Sequence, residues 1–409
     1  GGSAGGNAGG GGSGGGTTGA CTPLTSVKFT TVNVAVDASS PLHTAQSDID
    51  HDGHPDVVTV NYDSNSFSVL LGAANGTFVL ADSSPASTCT APNHVVTKDV
   101  TGDGLDDVII SCWDGTTAAV DVYVNQSAPG KVAFGAAQSV ALPVGVAADF
   151  TPFVAKIDAT SSPGLVLLGA QKLYASTNLG SGGFAAPRLV GAGLSSDTGV
   201  AGDLNGDGYD DFVTYSSSDD ATQNGTDDLS MVISAPPAGY TITTIGYDST
   251  GSSPGGTIYF GSTPLLQDID GDGLLDIVIA SGTSIPGQIL FFKNSGTSTI
   301  PSFPNAGVEY DVGDIPVNVA MADFNCDGKL DVASASDGCE VQQSCSTNMD
   351  ETPSLWIALG HASTFDPYET NSLPYGCLNM LVDDFNGDGY PDIVCGSDDK
   401  GINVLLNTP

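Results

Sequence analysis

The sequence predicts an all-β protein, a seven-bladed β-propeller with four-stranded blades that is closed by an N-terminal strand and preceded by a Gly-rich tail. Three observations predict this fold. A short acidic motif recurs along the chain, strand-like apolar segments follow each copy, and one strand-like segment is left over before the first copy. A repeat of this length with four short strands per unit is typical of propeller blades.

The acidic motif reads D-x-[D/N/T]-x-D-G-x-x-D, and its successive copies begin between 47 and 65 residues apart. A degenerate copy, KIDATSSPG, covers residues 156–164. The intact copies cover residues 48–56, 99–107, 203–211, 268–276, 323–331 and 384–392. With the degenerate copy included, the motif divides the chain into seven units, one for each expected blade.

Each unit continues with segments that have the composition of β-strands. A second strand follows the motif, as in VVTVN and DIVIA, and a third follows as in FSVLLG and INVLLN. A looser fourth strand comes after a Gly-Phe turn such as Asn75–Phe78. These segments are short, rich in β-branched residues and bounded by Gly, Asn, Asp and Pro, whereas no stretch has a persuasive helical period.

The two ends of the repeat region predict how the ring closes. The last unit stops after its third strand, 402–406, and an unused strand, Val27–Val36, precedes the first motif. That strand can serve as the outer strand of the last blade, which leaves no unfinished sheet edge. We therefore expect a tail or linker over residues 1–23, where glycine is abundant, and a propeller over residues 24–409.

Composition restricts the classes of partner and the compartment. The chain has 9 Lys and Arg against 47 Asp and Glu, a formal charge of −38, which argues against binding to nucleic acid or to anionic membranes. No apolar stretch approaches the roughly 18 residues of a transmembrane span. The even number of cysteines, 8, without a C-x-x-C pair predicts disulfides and a secreted or cell-surface protein.

The repeated motif has the composition of a calcium-binding turn. Side chains at positions 1, 3, 5 and 9 and the carbonyl at position 7 would give Ca²⁺ the oxygen ligands it prefers, and the invariant Gly at position 6 tolerates a positive φ. The predicted ligands are Asp48, Asp50, Asp52, His54, Asp56, Asp99, Thr101, Asp103, Leu105, Asp107, Asp203, Asn205, Asp207, Tyr209, Asp211, Asp268, Asp270, Asp272, Leu274, Asp276, Asp323, Asn325, Asp327, Lys329, Asp331, Asp384, Asn386, Asp388, Tyr390 and Asp392.

A purely structural explanation accounts for less of the motif. Asp-Gly is a good hairpin turn, but a turn does not require acids at positions 1, 5 and 9 in six copies. Carboxylates crowded in one turn repel one another by about 1 kcal/mol per pair in water, and a divalent cation removes that repulsion. Mg²⁺ fits less well because the loop offers many protein oxygens. We expect about six Ca²⁺ ions and none in the degenerate loop, where Lys156 and Gly164 replace ligands.

These repeats resemble FG-GAP (VCBS-type) repeats, the units of the integrin α-chain propeller and of many bacterial surface proteins. The resemblance covers nearly all of residues 24–409. It implies a seven-bladed propeller with calcium in the loop between the first and second strands of a blade. Members of the family include adhesion proteins, lectins and some polysaccharide-processing enzymes.

The repeat register also predicts the disulfide pairing. Cys89 and Cys112 bracket the second motif, and Cys377 and Cys395 bracket the last one in nearly the same register. Two further cysteines lie in one insertion of the sixth unit, and the remaining two fall on the motif side of neighbouring blades. The predicted pairs are 21–326, 89–112, 339–345 and 377–395.

The sequence contains no convincing catalytic constellation, so we expect a protein that is not an enzyme. It has no Walker loop and no H-E-x-x-H motif. Trp113 and Trp356 are expected near the connection between second and third strands, where they either stack on sugars or pack between blades.

Three functions stay open at this stage. The first is a structural or adhesive surface protein that contacts a surface protein or other copies of itself, with the Gly-rich tail forming a filament contact. The second is a carbohydrate-binding lectin with a glycan partner, and the third is a polysaccharide-processing enzyme.

Overall fold

The computed structural model describes most of the propeller region predicted from the sequence. The described residues are 21–36, 41–81, 89–143, 146, 148–160, 162–194, 198–216, 227–235, 239–247, 263–281, 287–297, 300–304, 307–313, 316–336, 353–361, 364–367, 369–374, 376–377, 379–396 and 401–408. The tail, on which the filament hypothesis depends, and the predicted 339–345 disulfide lie outside these residues. The described residues form strands and no helix, and hence no helix that could cross a membrane.

The described residues contain thirty strands, which we number in chain order. The first, β1, covers Phe29–Ala35. Blade one contains β2–β5 (Pro41–Ser47, Asp56–Asn61, Ser66–Gly72, Phe78–Leu80) and blade two contains β6–β9 (Pro92–Lys98, Asp107–Trp113, Ala118–Tyr123, Gln138–Ser139). Blade three contains β10–β12 and β15 (Thr151–Ala155, Gly164–Gly169, Lys172–Ser176, Arg188–Ala192), with the small hairpin β13–β14 (Asn178–Gly180, Gly183–Phe184) beside it.

The other blades repeat the pattern. Blade four contains β16–β19 (Thr198–Gly202, Asp211–Ser216, Asp227–Ala235, Gly239–Tyr247) and blade five contains β20–β23 (Leu265–Gln267, Asp276–Ser281, Gln288–Phe292, Val308–Asp311). Blade six contains β24–β27 (Pro316–Ala322, Asp331–Ser336, Ser354–Ala358, Glu369–Ser372). Blade seven contains β28–β30 (Met380–Asp383, Asp392–Gly396, Gly401–Asn407) together with β1.

The N-terminal strand closes the ring, as the sequence predicts. Strand β1 is the outer strand of blade seven and pairs antiparallel with β30, from Phe29 opposite Asn407 to Ala35 opposite Gly401. The last blade is therefore assembled from both ends of the propeller region, and β1 covers β30 as the fourth strand covers the third in the other blades.

The hydrophobic core lies between the blades. Seven clusters of buried side chains occur, and each joins one blade to the next around the ring, including blade seven to blade one. The middle strands supply most of these residues because both of their faces are covered; β3 is buried along its whole length. This explains why the second and third strands read as continuous apolar runs in the sequence.

Three of the four predicted disulfides are confirmed, namely Cys21–Cys326, Cys89–Cys112 and Cys377–Cys395. The first joins the segment before β1 to the motif loop of blade six across 305 residues of sequence. The backbone N–H of Leu24 also donates to the carbonyl of Asn325 in the same loop. These bonds are consistent with an oxidising environment and fix the start of the ring to its sixth blade.

The structure decides between the two expectations for Trp356. Trp113 ends a second strand, and Trp356 lies two residues after the start of the third strand of blade six and is only 6% exposed. Its indole packs against Gly313, where an added Cβ atom would lie 1.7 Å from the ring. Trp356 therefore fills the junction between blades and is not a surface platform for sugars.

Candidate metal sites

The acidic motif occupies the same place in every blade. It forms the loop between the first and second strands, and in all seven blades the second strand begins at motif position 9, from Asp56 in blade one to Asp392 in blade seven. Since equivalent loops of a propeller lie on one face of the ring, the motifs share that face, which we call the loop face. The site residues predicted from the sequence are thus gathered into separate loops, one in each blade.

The carboxylate at position 1 holds the turn in shape. In all six intact loops the N–H of the position 6 glycine donates to Oδ2 of the position 1 aspartate, at 2.7–3.0 Å. The N–H at position 7 donates to Oδ1 of the position 5 aspartate at 2.9–3.0 Å. Each position 6 glycine has a positive φ between 85° and 93°, which confirms the conformational reason for glycine at this point.

The carboxylate at position 9 lies deeper and joins the loop to the rest of its blade. Asp56 is fully buried, and its Oδ2 accepts hydrogen bonds from the N–H groups of Ile49 and Asp50 at 2.8 and 3.3 Å. Its Oδ1 accepts one from Gly72, at the end of the third strand, at 2.8 Å. The five other intact loops repeat the bond to the third-strand end at 2.7–2.9 Å.

Burial raises the pKa of these position 9 carboxyls because it removes water from the charged form. Desolvation is the largest cause in each case, and it raises the pKa to about 7 for Asp56 and Asp211, about 6 for Asp331 and about 8 for Asp392. Neighbouring loop carboxylates raise these values further, while the backbone donors oppose the increase. The loops therefore hold negative charge at a free-energy cost that a bound cation would offset.

The donor set of the loops fits a hard cation. The carboxylate oxygens of Asp48, Asp50 and Asp52 lie within 4.8 Å of one another in blade one. Blade five brings together Asp268, Asp270 and Asp276 in the same way. The motif offers only oxygen donors at the predicted ligand positions, which suits Ca²⁺ better than zinc or copper.

One orphaned atom points in the same direction. Oδ2 of Asp392 is buried without a hydrogen-bond partner in the loop of blade seven. A buried carboxylate oxygen left unpaired is costly, and a cation in that loop would satisfy it. The loop of blade seven therefore also favours a cation.

Lysines enter two of the loops. Lys293, from the end of the third strand of blade five, forms an ion pair with Asp270 and lies 3.6 Å from Asp272 through its Nζ atom. In blade six, Nζ of Lys329 lies 3.1 Å from Oδ2 of Asp327. These two ammonium groups contact the carboxylates that we predict to bind the cation, so a cation in either loop has to compete with a lysine.

The degenerate loop of blade three is built differently. An added Cβ at Gly164, motif position 9, would lie 2.4 Å from the side chain of Ile157, which occupies the space of the missing carboxylate. The ammonium of Lys156 lies 5.5 Å from the ring centroid of Tyr209 in the neighbouring loop. The isoleucine in the space of the ligand and the lysine over the neighbouring loop both fit the prediction that this loop holds no ion.

Two features of the loops escaped the sequence analysis. Position 4 also has a positive φ: it is glycine in four intact loops but His51 and Cys326 in the two others, with φ of 58° and 59°. The second feature is an asparagine after the third strand, whose side-chain amide donates to the backbone carbonyl at motif position 2 of the preceding blade. Asn125 donates to Ile49 in this way at 2.8 Å.

The same bond recurs around the ring in Asn178, Asn294 and Asn407. We call these four side chains the asparagine ties. The sequence did show their signal, because the third strands of several units end in asparagine. What it could not show is that each amide reaches across to another blade.

A cleft of about 670 Å³ opens between blades five and six at their loop-face corner. Its lining includes Lys293 and Lys329 from the two loops just described, together with the aromatic rings of Phe291, Tyr310 and Phe365. Its volume lies in the range of small-molecule binding sites.

Comparisons with known proteins agree with the repeat and the fold. Residues 48–110 and 268–334 match the family model described as FG-GAP-like repeat. A search of curated proteins found no match. An Agrocybe aegerita lectin, described by its specific recognition of non-reducing terminal N-acetylglucosamine, superposes with a TM-score of 0.57 at 15% identity, covering 94% of this chain and 86% of the lectin.

Two structures of BBS1N in complex with ARL6DN are also similar. One has a TM-score of 0.56 at 9% identity over 95% of this chain and 99% of that one. The other has a TM-score of 0.52 at 10% identity over 93% and 96%. At such low identities these likenesses show a shared fold alone.

Proposed function

From the premise that this chain is built of FG-GAP-like repeats closed into a seven-bladed propeller, we propose that it is an extracellular calcium-binding protein with a structural or adhesive role at a surface. The observation that carries the calcium proposal is the uniformity of the six intact loops. Each repeats the same acidic positions and the same bonds from position 6 to position 1. Calcium would neutralise the carboxylates and hold each loop against its blade.

Calcium counting tests this part of the proposal. The full chain, stripped with a chelator and dialysed against calcium, is expected to bind about six ions per molecule. The melting temperature is expected to rise on calcium addition, because a site at 100 times its dissociation constant adds about 2.7 kcal/mol. Anomalous diffraction should show ions in the six intact loops and none between residues 156 and 164. A stripped protein that binds no calcium and melts unchanged would contradict the proposal.

A structural or adhesive role is supported by what the chain offers for contact. The sequence provides no catalytic constellation, which favours a role that is not enzymatic, and its charge of −38 would allow calcium to bridge two copies. In our hypothesis the Gly-rich tail lies against a neighbouring copy by backbone hydrogen bonds, and such a head-to-tail contact propagates into a filament.

Deletion of residues 1–20 tests the filament hypothesis. Electron microscopy and light scattering of the full chain in calcium are expected to show filaments, and the deletion variant is expected to remain dispersed. Calcium counting on both proteins is the control, because the deletion leaves all six intact loops in place. A full chain that stays monomeric, or a deletion variant that assembles normally, would refute the hypothesis.

Carbohydrate binding is the second candidate function. Two observations favour it: the similarity in fold to the Agrocybe aegerita lectin, and the cleft between blades five and six, which combines aromatic and polar side chains. Binding of the calcium-loaded protein to a glycan array tests this candidate independently of assembly.

A further inference from the structure

Packing at two other blade junctions shows how the loop-face corner is normally filled. At the junction of blades seven and one, Leu406 packs against the turn that precedes the fourth strand of blade one. A Cβ atom added at Gly76 in that turn would lie 2.8 Å from the Leu406 side chain. At the junction of blades two and three, Val124 packs in the same way, 2.9 Å from an added Cβ at Gly182. An apolar side chain thus closes each of these corners.

Lys293 is the corresponding residue of blade five. Like Leu406 and Val124, it immediately precedes an asparagine whose N–H donates to the position 9 carboxylate of the same blade. In blade five Asn294 donates to Asp276. The Lys293 ammonium contacts the carboxylates of its own loop and its side chain is 56% exposed. Its ammonium is therefore held by its own loop, and no apolar side chain fills the corner toward blade six.

The junction also lacks an asparagine tie. In blade six the residue after the third strand is Gly360, whose N–H donates to Asp331 but which has no side chain to reach blade five. An added Cβ there would lie 1.9 Å from the carbonyl oxygen of Leu330, so this position accepts only glycine. A lysine and a glycine in place of an apolar residue and an asparagine together account for the cleft of about 670 Å³.

Three aromatic rings form the apolar wall of the cleft. Phe291 and Phe365 stack with their centroids 5.3 Å apart, and Tyr310 meets both edge-on at 5.3 and 5.0 Å. Phe291 is buried, whereas Tyr310 and Phe365 are only half-buried, and Val308 beside them is 60% exposed. Rings that are held by their neighbours and still partly open to the cleft offer a rigid apolar face to a ligand.

The polar side of the cleft has no surplus of positive charge. Lys293 and Lys329 are paired with loop carboxylates, and Nε2 of His361 lies 2.8 Å from Oδ1 of Asp366. The cleft therefore presents hydrogen-bond donors and acceptors side by side with no surplus of cations, in a chain whose formal charge is −38. A polyanion would be repelled, whereas hydroxyl groups can both donate to carboxylates and accept from ammonium groups.

We propose that this cleft is a binding site for a neutral saccharide. The C–H face of one sugar ring would pack on Tyr310 and Phe365, and its hydroxyl groups would bond to the lysines and aspartates of the rim. The inference rests on the second proposed function, carbohydrate binding, and names its site and ligand class. Lys293 contributes to this site in two ways, because it leaves the corner open and supplies a hydrogen-bond donor at the rim.

Glycan binding by the variant Lys293→Leu tests the proposal. Leucine is the residue that closes the equivalent corner at Leu406, so the variant is expected to fill the cleft and to lower the affinity for neutral glycans at least 10-fold. The probe is an array of neutral and acidic glycans, read with the full chain in calcium, followed by titration of the best neutral glycan. Lys172→Leu, the same change in the third strand of blade three, is the matched control and is expected to bind as the original chain does.

A second variant tests the same site in case the Lys293→Leu change disturbs the fold. Val308 is exposed at the rim, so Val308→Glu leaves the core intact and is expected to weaken binding by crowding and charging the cleft. Calcium counting and melting curves check that both variants fold. If the full chain binds no glycan, or acidic glycans only, carbohydrate binding at this cleft is refuted. If it binds neutral glycans and both variants bind equally well, carbohydrate binding stands but the site is wrong.

Discussion

Replacement of Asp56 by asparagine separates the two parts that a position 9 carboxylate plays. In the absence of calcium, this carboxylate accepts three hydrogen bonds from buried backbone N–H groups. An asparagine side chain has one acceptor oxygen, so its NH₂ group would face at least one of these donors. A buried donor left unpaired costs about 1–3 kcal/mol, but the neutral amide also escapes the burial cost that raises the Asp56 pKa to about 7, so we expect a small net loss in excess chelator.

Calcium adds a second loss to the same variant. If Asp56 closes the ligand shell of its loop, the Asp56→Asn protein loses one ion. With free calcium fixed at 100 times the dissociation constant, the loss of one ion lowers the free energy of unfolding by a further ~2.7 kcal/mol. The loss in calcium is therefore expected to exceed the loss in chelator by about 2.7 kcal/mol. The measurement is urea unfolding at pH 8, above the pKa of about 7 of Asp56, with and without chelator.

Asp121→Asn is the matched control. Asp121 is 2% exposed in the third strand of blade two, lies outside the motif loops, and accepts a hydrogen bond from the Ser139 hydroxyl at 2.6 Å. Its loss is expected to be the same in calcium and in chelator. The loss of stability on Asp56→Asn could also be the same in both conditions while the original chain binds calcium. The carboxylate would then have only a structural role, and our ligand assignment at position 9 would be refuted.

Three further predictions concern pH, the ties and the disulfides. In chelator, the melting temperature is expected to fall from pH 5 to pH 8. Burial raises the pKa of carboxyls such as Asp392 from 3.8 to about 8, so the folded state binds more protons than the unfolded state and loses stability as these carboxyls ionise. A melting temperature that rises over this range would contradict the prediction. Asn125→Ala, which removes the bond to Ile49, is expected to lower the free energy of unfolding in urea by about 1–3 kcal/mol, and an unchanged midpoint would deny the tie any role in stability. Cys326→Ser opens the bond to Cys21 and is expected to cost about 3–5 kcal/mol, measured under oxidising conditions, whereas equal stability would mean that the bond does not constrain the unfolded chain.

The fold was predictable because its signals are local and repeated. The motif gives the number of blades, the unpaired strand before it gives the closure, and the register of Cys89 and Cys112 around a motif gives their pairing. The location of the motif loops followed in the same way, since each lies between two strands that are adjacent in sequence. Calcium occupancy remains a prediction, supported by the donors and not tested by the fold.

The rest depends on contacts between blades, which a single sequence does not report. The ion pair of Lys293 with Asp270 joins residues 23 apart, and nothing in their spacing distinguishes it from the apolar packing of Leu406. For the same reason the sequence left open whether Trp356 packs between blades or stacks on sugars, because its burial is decided by Gly313 in the neighbouring blade. Such side chains are placed by tertiary packing and not by local propensity.

The asparagine ties have a consequence for how the ring comes apart. They join blades one to three, blades four and five, and blades six and seven, whereas Gly72, Ser234 and Gly360 stand in the place of the asparagine at the three other seams. Local opening of a protein follows the weakest contacts, so amide hydrogens near those three seams are expected to exchange with solvent before those inside the tied groups. The propeller is then expected to open locally between groups of two or three blades, and the seam beside the cleft is one of the places that open first.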